Sequence, residues 1–474
     1  MRRGRLKVCA TITMRYSFHR VNHPPESAIP AKLATSYRSA HSRSRELYKR
    51  ASVVMPGGNT RHSIAMAPYP IYAASGSGCR VTDVDGDQRI DFLNNYTSLI
   101  LGHTDPRVTE AVQRRVALGT AFTMPAAEDV ELAELLAARI PYVNQIRFCN
   151  SGSEAVMLAV KAARAFTGRH KIAKFEGAYH GIYDYVEVSE GPAADEWGDA
   201  DAPRSITEPG TPPGVAEDVV ILPWNRLEAC RQLMARHKND LAAILVDPMP
   251  LGIGMIQPRP GFLEFLREET ARHGILLVAD EVLNFRISYH GAAHAFGIQP
   301  DLVSFGKIIG GGFPVGAVGG SRQVMSVFDH TGSLKVHHGG TFNANPVSMT
   351  AGLETMHQMT PEAFDRLSGL GDYIRDRLTR MFRDRGLAGQ VCGRASMFVA
   401  HLTSGELVDY RSLRGFSRTN PAYGALCHEM LQRGMIMSPR GVFGCLSTPM
   451  REPEADAFVD ALDDSIRQLG IQSS

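Results

Sequence analysis

From about residue 80 onward, short runs that are apolar at nearly every position alternate with longer stretches whose apolar residues recur every third or fourth position. The short runs at Gln145–Cys149, Lys171–Phe175, Leu241–Asp247, Ile275–Ala279 and Leu302–Phe305 read as strands. "LAAILV" and "GILLVA" have no polar alternation, as expected of strands covered on both faces. In the segment after Gln145–Cys149, Val156, Ala159, Val160, Ala163 and Phe166 share one helical face. Strands separated by helices predict an α/β fold with a mostly parallel sheet between helical layers. Such sheets collect ligands at the carboxyl ends of their strands. Asp247, Asp280 and Lys307 each follow one of the apolar runs, at that edge.

Residues 190–217 are rich in Pro, Gly and Asp, which predicts an irregular insertion or active-site loop. Past residue 350 the texture changes. "PEAFDRLSGLGDYIRDRLTRMFRDRG" reads as one amphipathic helix opening a second, smaller domain. No internal repeat is visible.

Composition removes several classes of function. The 474 residues carry a formal net charge of +2, which supplies no field for nucleic acid or an anionic membrane. No run is long and apolar enough for a membrane helix. Seven scattered cysteines without a C-x-x-C pair argue against a disulfide framework or a zinc site, and no metal is expected. A reducing cytoplasm is the simplest compartment. The first 25 residues carry Arg2, Arg3, Arg5, Lys7, Arg15 and Arg20 but no acid, so they read as a disordered basic tail or as a transit peptide.

Candidate chemistry falls on a few turns. Ser151, Gly152 and Ser153 lie at the start of a helix, where unpaired N–H groups suit either a phosphate or a plain serine cap. Asp280, at the end of a buried strand, needs a cation or hydrogen-bond donor, and Glu281 beside it would point the other way. Lys307 stands alone before "IIGGG" and is either a nucleophilic amine or one half of a salt bridge. Tyr179 and His180 in "FEGAYHG" follow another strand, where an aromatic can cover a planar ligand or belong to the core. Thr341 in "HHGGTFNANP" is a second possible phosphate contact.

A phosphate turn, a carboxylate for a ring nitrogen, a stacking aromatic and a lysine are together the parts of a pyridoxal phosphate site. As a set, "NSGSEA", "YHG", "DEV", "GK-IGGG-PVGA" and "GTF-NP" resemble the class-III aminotransferases, including their glutamate-1-semialdehyde aminomutase branch. The resemblance runs from about residue 50 to the C-terminus. It implies the fold-type I transferase architecture, a large mixed sheet plus a small domain built from both termini. The expected boundaries are 1–45 for a poorly ordered extension, 46–80 for a segment joining the small domain, 81–345 for the large domain and 346–474 for the small one. It further implies that Lys307 carries the cofactor and moves the substrate proton, with Asp280 pairing with the pyridine nitrogen. Ser151, Gly152 and Ser153 would hold the phosphate, Tyr179 and His180 would lie at the ring, and Val282 would pack behind it. Thr341 would reach the phosphate of a neighbouring subunit, implying a homodimer with shared sites.

Two arginines bear on the substrate. Arg61 in "MPGGNTRHSIAMAPYPIY" and Arg440 in "MIMSPRGVFGCLS" each offer a planar fork suited to a carboxylate, although each is also compatible with an ordinary structural role. Both segments resemble the β-amino-acid (β-phenylalanine-type) aminotransferases, in which such arginines hold substrate carboxylates. "PRGV" and "GTFNANP" depart from the usual aminomutase pattern, and "VDPM" places Asp247 where the family usually has Glu-Pro. The expectation is an aminotransferase passing an amino group from a carboxylate-bearing amine, a β-amino acid, to a keto acid. The alternative is intramolecular transfer by a glutamate-1-semialdehyde aminomutase. A dehydrogenase reading of "LGIGMIQ" fails at its third glycine and at Pro258 and Pro260. A non-catalytic relative on the same fold would have no use for both Lys307 and Asp280.

Overall fold

Seven short strands form the central sheet of the computed structural model, which describes residues 29–332, 335–416, 422–439 and 441–471. They are β1 (Gln145–Cys149), β2 (Lys171–Phe175), β3 (Val219–Leu222), β4 (Leu241–Val246), β5 (Leu276–Asp280), β6 (Leu302–Gly306) and β7 (Gly316–Gly320). Their order across the sheet is β1-β7-β6-β5-β4-β2-β3. β7 is antiparallel to both of its neighbours and the rest run together, so six carboxyl ends share one edge. The sheet is buried because its side chains alternate between two apolar layers. Along β4, Ile244 and Val246 join one core and Ala243 and Leu245 the other. Each buried Ile, Val or Leu contributes about 1.5–3 kcal/mol.

The fold class is the one expected, an α/β fold around a large mixed sheet. β3 and β7 were not among the expected strands, and the strand expected at 275–279 runs one residue later, which makes Asp280 its last residue. β7 reads "GAVGG", a composition that disfavours strands in isolation. It pairs Gly316 with both Gly306 and Cys149, and a Cβ on Gly316 would lie 2.0 Å from the carbonyl oxygen of Ser151. Close backbone approach therefore sets its composition.

The second layer of structure comes from both ends of the chain. Ala73–Ser77, Arg80–Asp83 and Gln88–Asp91 form an antiparallel meander to which Met435–Ile436 adds in parallel. Gln88–Asp91, which the boundary at residue 81 assigned to the large domain, thus pairs with the C-terminal segment. Gln390–Cys392, Met397–His401 and Val442–Cys445 make a further antiparallel sheet. The amphipathic segment is the helix Pro361–Asp384, which buries Phe364, Leu367, Ile374 and Leu378. The helix Pro346–Gln358, expected in the small domain, instead packs on Pro106–Val116, Ala127–Arg139 and the turn at Lys307–Gly310.

Residues 31–45 also correct an expectation. They form the helix Ala31–Ala40 and the start of Ser42–Val54, anchored by buried Leu33, Ala34 and Tyr37. The basic residues before position 29 lie outside the described residues. Residues 190–212 are irregular, as expected. In "LGIGMIQ" a short turn ends at left-handed Gly254, and the next helix begins only at Phe262, so the dinucleotide reading has no structural counterpart. The six described cysteines are all free, and no described helix is long and apolar enough to cross a membrane.

Candidate active site

Five chain segments leave the carboxyl edge of the sheet and carry the chemistry. After β1, Ser151 caps the helix Gly152–Thr167, its Oγ accepting from the Glu154 N–H at 3.2 Å. The N–H groups of Gly152 and Ser153 have no intrahelical partner, by helix geometry, and lie at the positive end of the dipole. The loop after β2 closes on this turn. Ser153 Oγ accepts from the Ile182 N–H at 3.2 Å, and a Cβ on Gly181 would lie 2.5 Å from that oxygen. Tyr179, in the same loop, is 51 % exposed, so it is not a core residue.

Asp280 ends β5 and receives the partners its burial demands. His180 Nδ1 donates to Oδ2 at 2.7 Å, while Ser304 Oγ and the Val282 N–H donate to Oδ1 at 3.0 and 3.1 Å. The register that pairs Asp280 with Ser304 across β5 and β6 supplies one of these bonds. Burial alone would raise the carboxyl's pKa, but the His180 hydrogen bond and the other donors hold it below the usual range, so Asp280 is ionised. His180 is pushed down by burial against the pull of Asp280. Its Nε2 is buried without a partner among the described residues.

Val282 wedges between two glycines. A Cβ on Gly152 would lie 2.6 Å from Val282 Cγ1, and one on Gly306 would lie 3.2 Å from it. This apolar wedge joins the phosphate-type turn, the Asp280 strand and the backbone beside Lys307. Lys307 itself has φ +50°, a left-handed conformation rare outside glycine, and is half-buried. Burial lowers the pKa of its amine, with Asp280 and Asp247 pulling the other way. No described residue hydrogen-bonds its Nζ.

The second aspartate behaves differently. Asp247 Oδ1 accepts from the Met249 N–H at 2.8 Å and from Asn284 Nδ2. Burial and the nearby Asp280 charge raise its pKa well above its ordinary value, the opposite direction to Asp280. Glu281, the residue after β5, faces away, as alternation with Asp280 requires. Its oxygens accept from the N–H groups of Ala292 at 2.6 Å and Ala293 at 2.9 Å, and from Tyr142 OH at 3.0 Å. Burial pushes its pKa up to about 7, overriding those three bonds. Folded Glu281 therefore holds its proton more tightly than in the unfolded chain. Its contribution to stability is complete below about pH 4.5 and is lost as the pH rises through 7. In chemical unfolding between pH 5 and 8, this group should account for a decline of roughly 3 kcal/mol, and Glu281→Gln should flatten that slope. An equal slope in the variant would assign the decline to other groups.

Thr341 is exposed, in a turn whose Asn343 accepts from Asn150 Nδ2 at 2.9 Å, next to Ser151. Arg61 is exposed, and its NH1 donates to Asn95 Oδ1 at 2.9 Å. Arg440 lies outside the described residues. The structure thus brings Ser151, Gly152, Ser153, His180, Asp280, Val282 and the Gly306 backbone beside Lys307 together, with Tyr179 on the same loop as His180. Sequence reasoning missed Asn95 and Asn284. Neither carries a motif, and each is found only through its partner.

A family model for class-III aminotransferases matches residues 63–463, and the chain belongs to that family. It is 40 % identical to the glutamate-1-semialdehyde 2,1-aminomutase of Methanothermobacter thermautotrophicus over 429 residues, 90 % of this chain and 99 % of that protein. Among solved structures, an omega-transaminase from Sphaerobacter thermophilus superposes with a TM-score of 0.88 at 48 % identity, covering 92 % of this chain and 99 % of that one. The β-phenylalanine aminotransferase of Variovorax paradoxus gives 0.85 at 34 % identity, covering 94 % and 98 %. Further curated relatives at 34–36 % identity carry the aminomutase name, with or without a number, which favours the intramolecular alternative over the β-amino-acid expectation.

Proposed function

We propose that this chain is a pyridoxal-phosphate-dependent enzyme that moves the amino group of a carboxylate-bearing amine. The observation that carries the reading is Lys307, held left-handed at the end of β6, half-buried and within electrostatic reach of Asp280 and Asp247. The residues fit the cofactor. The Gly152 and Ser153 N–H groups and the Ser153 hydroxyl suit a phosphate, and glycines at 152 and 181 let Val282 and Ser153 pack where a Cβ would clash. Ionised Asp280 suits a protonated ring nitrogen, and Val282 and Tyr179 would be the apolar and aromatic residues that hold the ring. When bound, the cofactor supplies an electrophilic carbonyl and a ring that accepts an electron pair.

The protein's own part is then acid–base work and orientation. The Lys307 amine, its pKa lowered by burial, takes the proton from the substrate carbon and returns one to the neighbouring position. Asp280 stays ionised, so a proton on the ring nitrogen remains paired, and His180 keeps Asp280 in place. Arg61 and Arg440 receive carboxylates through their planar forks. Thr341 would serve the phosphate of a second copy. Exposed Leu118, Phe122, Met124 and Phe342 flank this turn, where Asn345 Nδ2 donates to the Thr120 carbonyl at 2.8 Å, and they support a homodimer with shared sites.

Within this class the names of the curated relatives support intramolecular transfer in glutamate-1-semialdehyde. The second reading, transfer from a β-amino acid to a keto acid, is supported by the 34 % identity to a β-phenylalanine aminotransferase and by the "PRGV" and "GTFNANP" departures. Acceptor dependence separates them. An aminomutase turns over glutamate-1-semialdehyde repeatedly with no added keto acid. A β-amino-acid transaminase given β-phenylalanine alone stops after one amino group per site and resumes when a keto acid is added. The purified holoenzyme, followed by its absorption spectrum and product yield, gives one result or the other. Failure of both substrates to alter the spectrum would overturn the proposal.

A further inference from the structure

Residues Asn94–Thr97 form a turn of the wrong hand. Four successive non-glycine residues, Asn94, Asn95, Tyr96 and Thr97, have φ of +47°, +48°, +54° and +75°. A left-handed turn is strained for L-residues, with Asn among the least penalised, so the surroundings must hold it. Asp91 Oδ1 accepts from the Leu93 and Asn94 N–H groups, both at 2.9 Å. Asn94 Nδ2 donates to the Cys445 carbonyl at 2.8 Å, and fully buried Arg286 donates to the Thr97 carbonyl at 2.9 Å. Arg286 lies four residues past Val282. Leu99 reaches the loop after Lys307, where a Cβ on Gly312 would lie 2.9 Å from its Cδ2. The turn is therefore fastened to the segments that follow both Asp280 and Lys307.

Its outward residue is Asn95. Asn95 Nδ2 donates to Ser98 Oγ at 3.1 Å, and Ser98 Oγ donates to the Asn95 carbonyl at 3.0 Å. The amide is thereby oriented with Oδ1 outward, accepting from Arg61 NH1 at 2.9 Å. A flipped amide would turn an NH2 group against a guanidinium. Arg61 has no carboxylate partner among the described residues, so a neutral acceptor holds one corner of an uncompensated cation.

We infer that Asn95 is the positioning residue of the substrate-carboxylate subsite, fixing the guanidinium edge that Arg61 presents; this rests on the carboxylate reading of Arg61 proposed above. An aspartate could hold the same geometry but would neutralise the charge, whereas the amide orients it and leaves it available to an anion.

The test measures binding of 3-phenylpropanoate and of glutarate, carboxylates without an amine, to the holoenzyme by calorimetry, following whichever binds the wild type more tightly. Asn95→Gly tolerates the left-handed backbone while removing the side chain. It should weaken binding about five- to twentyfold with little change in Tm. Arg61→Ala should weaken it at least as much, and the double variant should be no worse than Arg61→Ala. Tight binding by Asn95→Gly, with weak binding by Arg61→Ala, overturns the inference and leaves the Arg61 reading intact. Wild-type affinity in Arg61→Ala, or no binding of either carboxylate to the wild type, overturns both. A lowered Tm with unchanged affinity in Asn95→Gly makes its role structural and overturns the inference.

Discussion

Lys307→Ala should reduce turnover by about a thousandfold or more, as expected when one group is both nucleophile and proton carrier. The amine stands at the end of β6 in a backbone conformation that few side chains adopt, with two aspartates in electrostatic reach. Nothing in its immediate packing needs a lysine for stability, since no described residue hydrogen-bonds the Nζ. A structural lysine would be replaceable by arginine, which keeps the charge facing Asp280 and Asp247. Arginine cannot lose its proton at working pH, so Lys307→Arg should fail as badly as alanine. The direct measurement is borohydride reduction of the pyridoxal phosphate-loaded protein, then peptide mapping. The wild type should retain the cofactor on the peptide containing Lys307, and neither variant should retain it. A labelled peptide elsewhere, or substantial turnover by Lys307→Arg, would remove Lys307 from its role.

Asp280→Asn should lower turnover by about a hundred- to ten-thousandfold and weaken pyridoxal phosphate binding. The substitution is nearly isosteric, and Oδ1 of an asparagine can still accept from Ser304 and the Val282 N–H. What it loses is the charge and, with Nδ2 in place of Oδ2, the acceptor of the His180 Nδ1–H bond. His180, pushed towards neutrality by burial, cannot supply a replacement. Because hydrogen bonds hold the Asp280 pKa below the carboxylate range, the wild-type group stays ionised across neutral pH, and the defect should not be recovered by changing pH there. The same depressed pKa gives the opposite stability sign to Glu281. The Asp280 contribution is present above its unfolded pKa and is lost as the pH falls through the folded one. A pH–rate profile of the variant that regains wild-type activity at any neutral pH would show that the charge is dispensable.

Much of this site was legible because chemistry-bearing residues follow apolar strands. Asp280 after "LLVA" and Lys307 after "LVSFG" could be placed on one edge without coordinates, and the burial of Asp280 implied a donor before His180 was seen to supply it. The direction of Glu281 followed from strand alternation alone. Strand β7 was not legible, because "GAVGG" records what its neighbours exclude rather than what a strand prefers. The left-handed turn at Asn94–Thr97 was hidden for a related reason. Its conformation is held by nearby Asp91 and by Arg286 and the Cys445 carbonyl, the last 351 residues distant, which no local pattern encodes. The small-domain boundary slipped at Gln88–Asp91 because the pairing with Met435–Ile436 is equally remote.

The antiparallel strand β7 also dictates an order of events during synthesis. β1 leaves the ribosome with no partner, because the strand that joins it to the sheet ends about 170 residues later. At roughly 5–20 residues per second, that interval lasts on the order of ten to thirty seconds. Through it, the helix Gly152–Thr167 lacks the β6 and β7 surface on which it packs. The nascent chain therefore exposes an apolar helix and an open sheet edge until Gly320 emerges. Its yield in the cell should depend on protection of that interval more than on the stability of the finished protein.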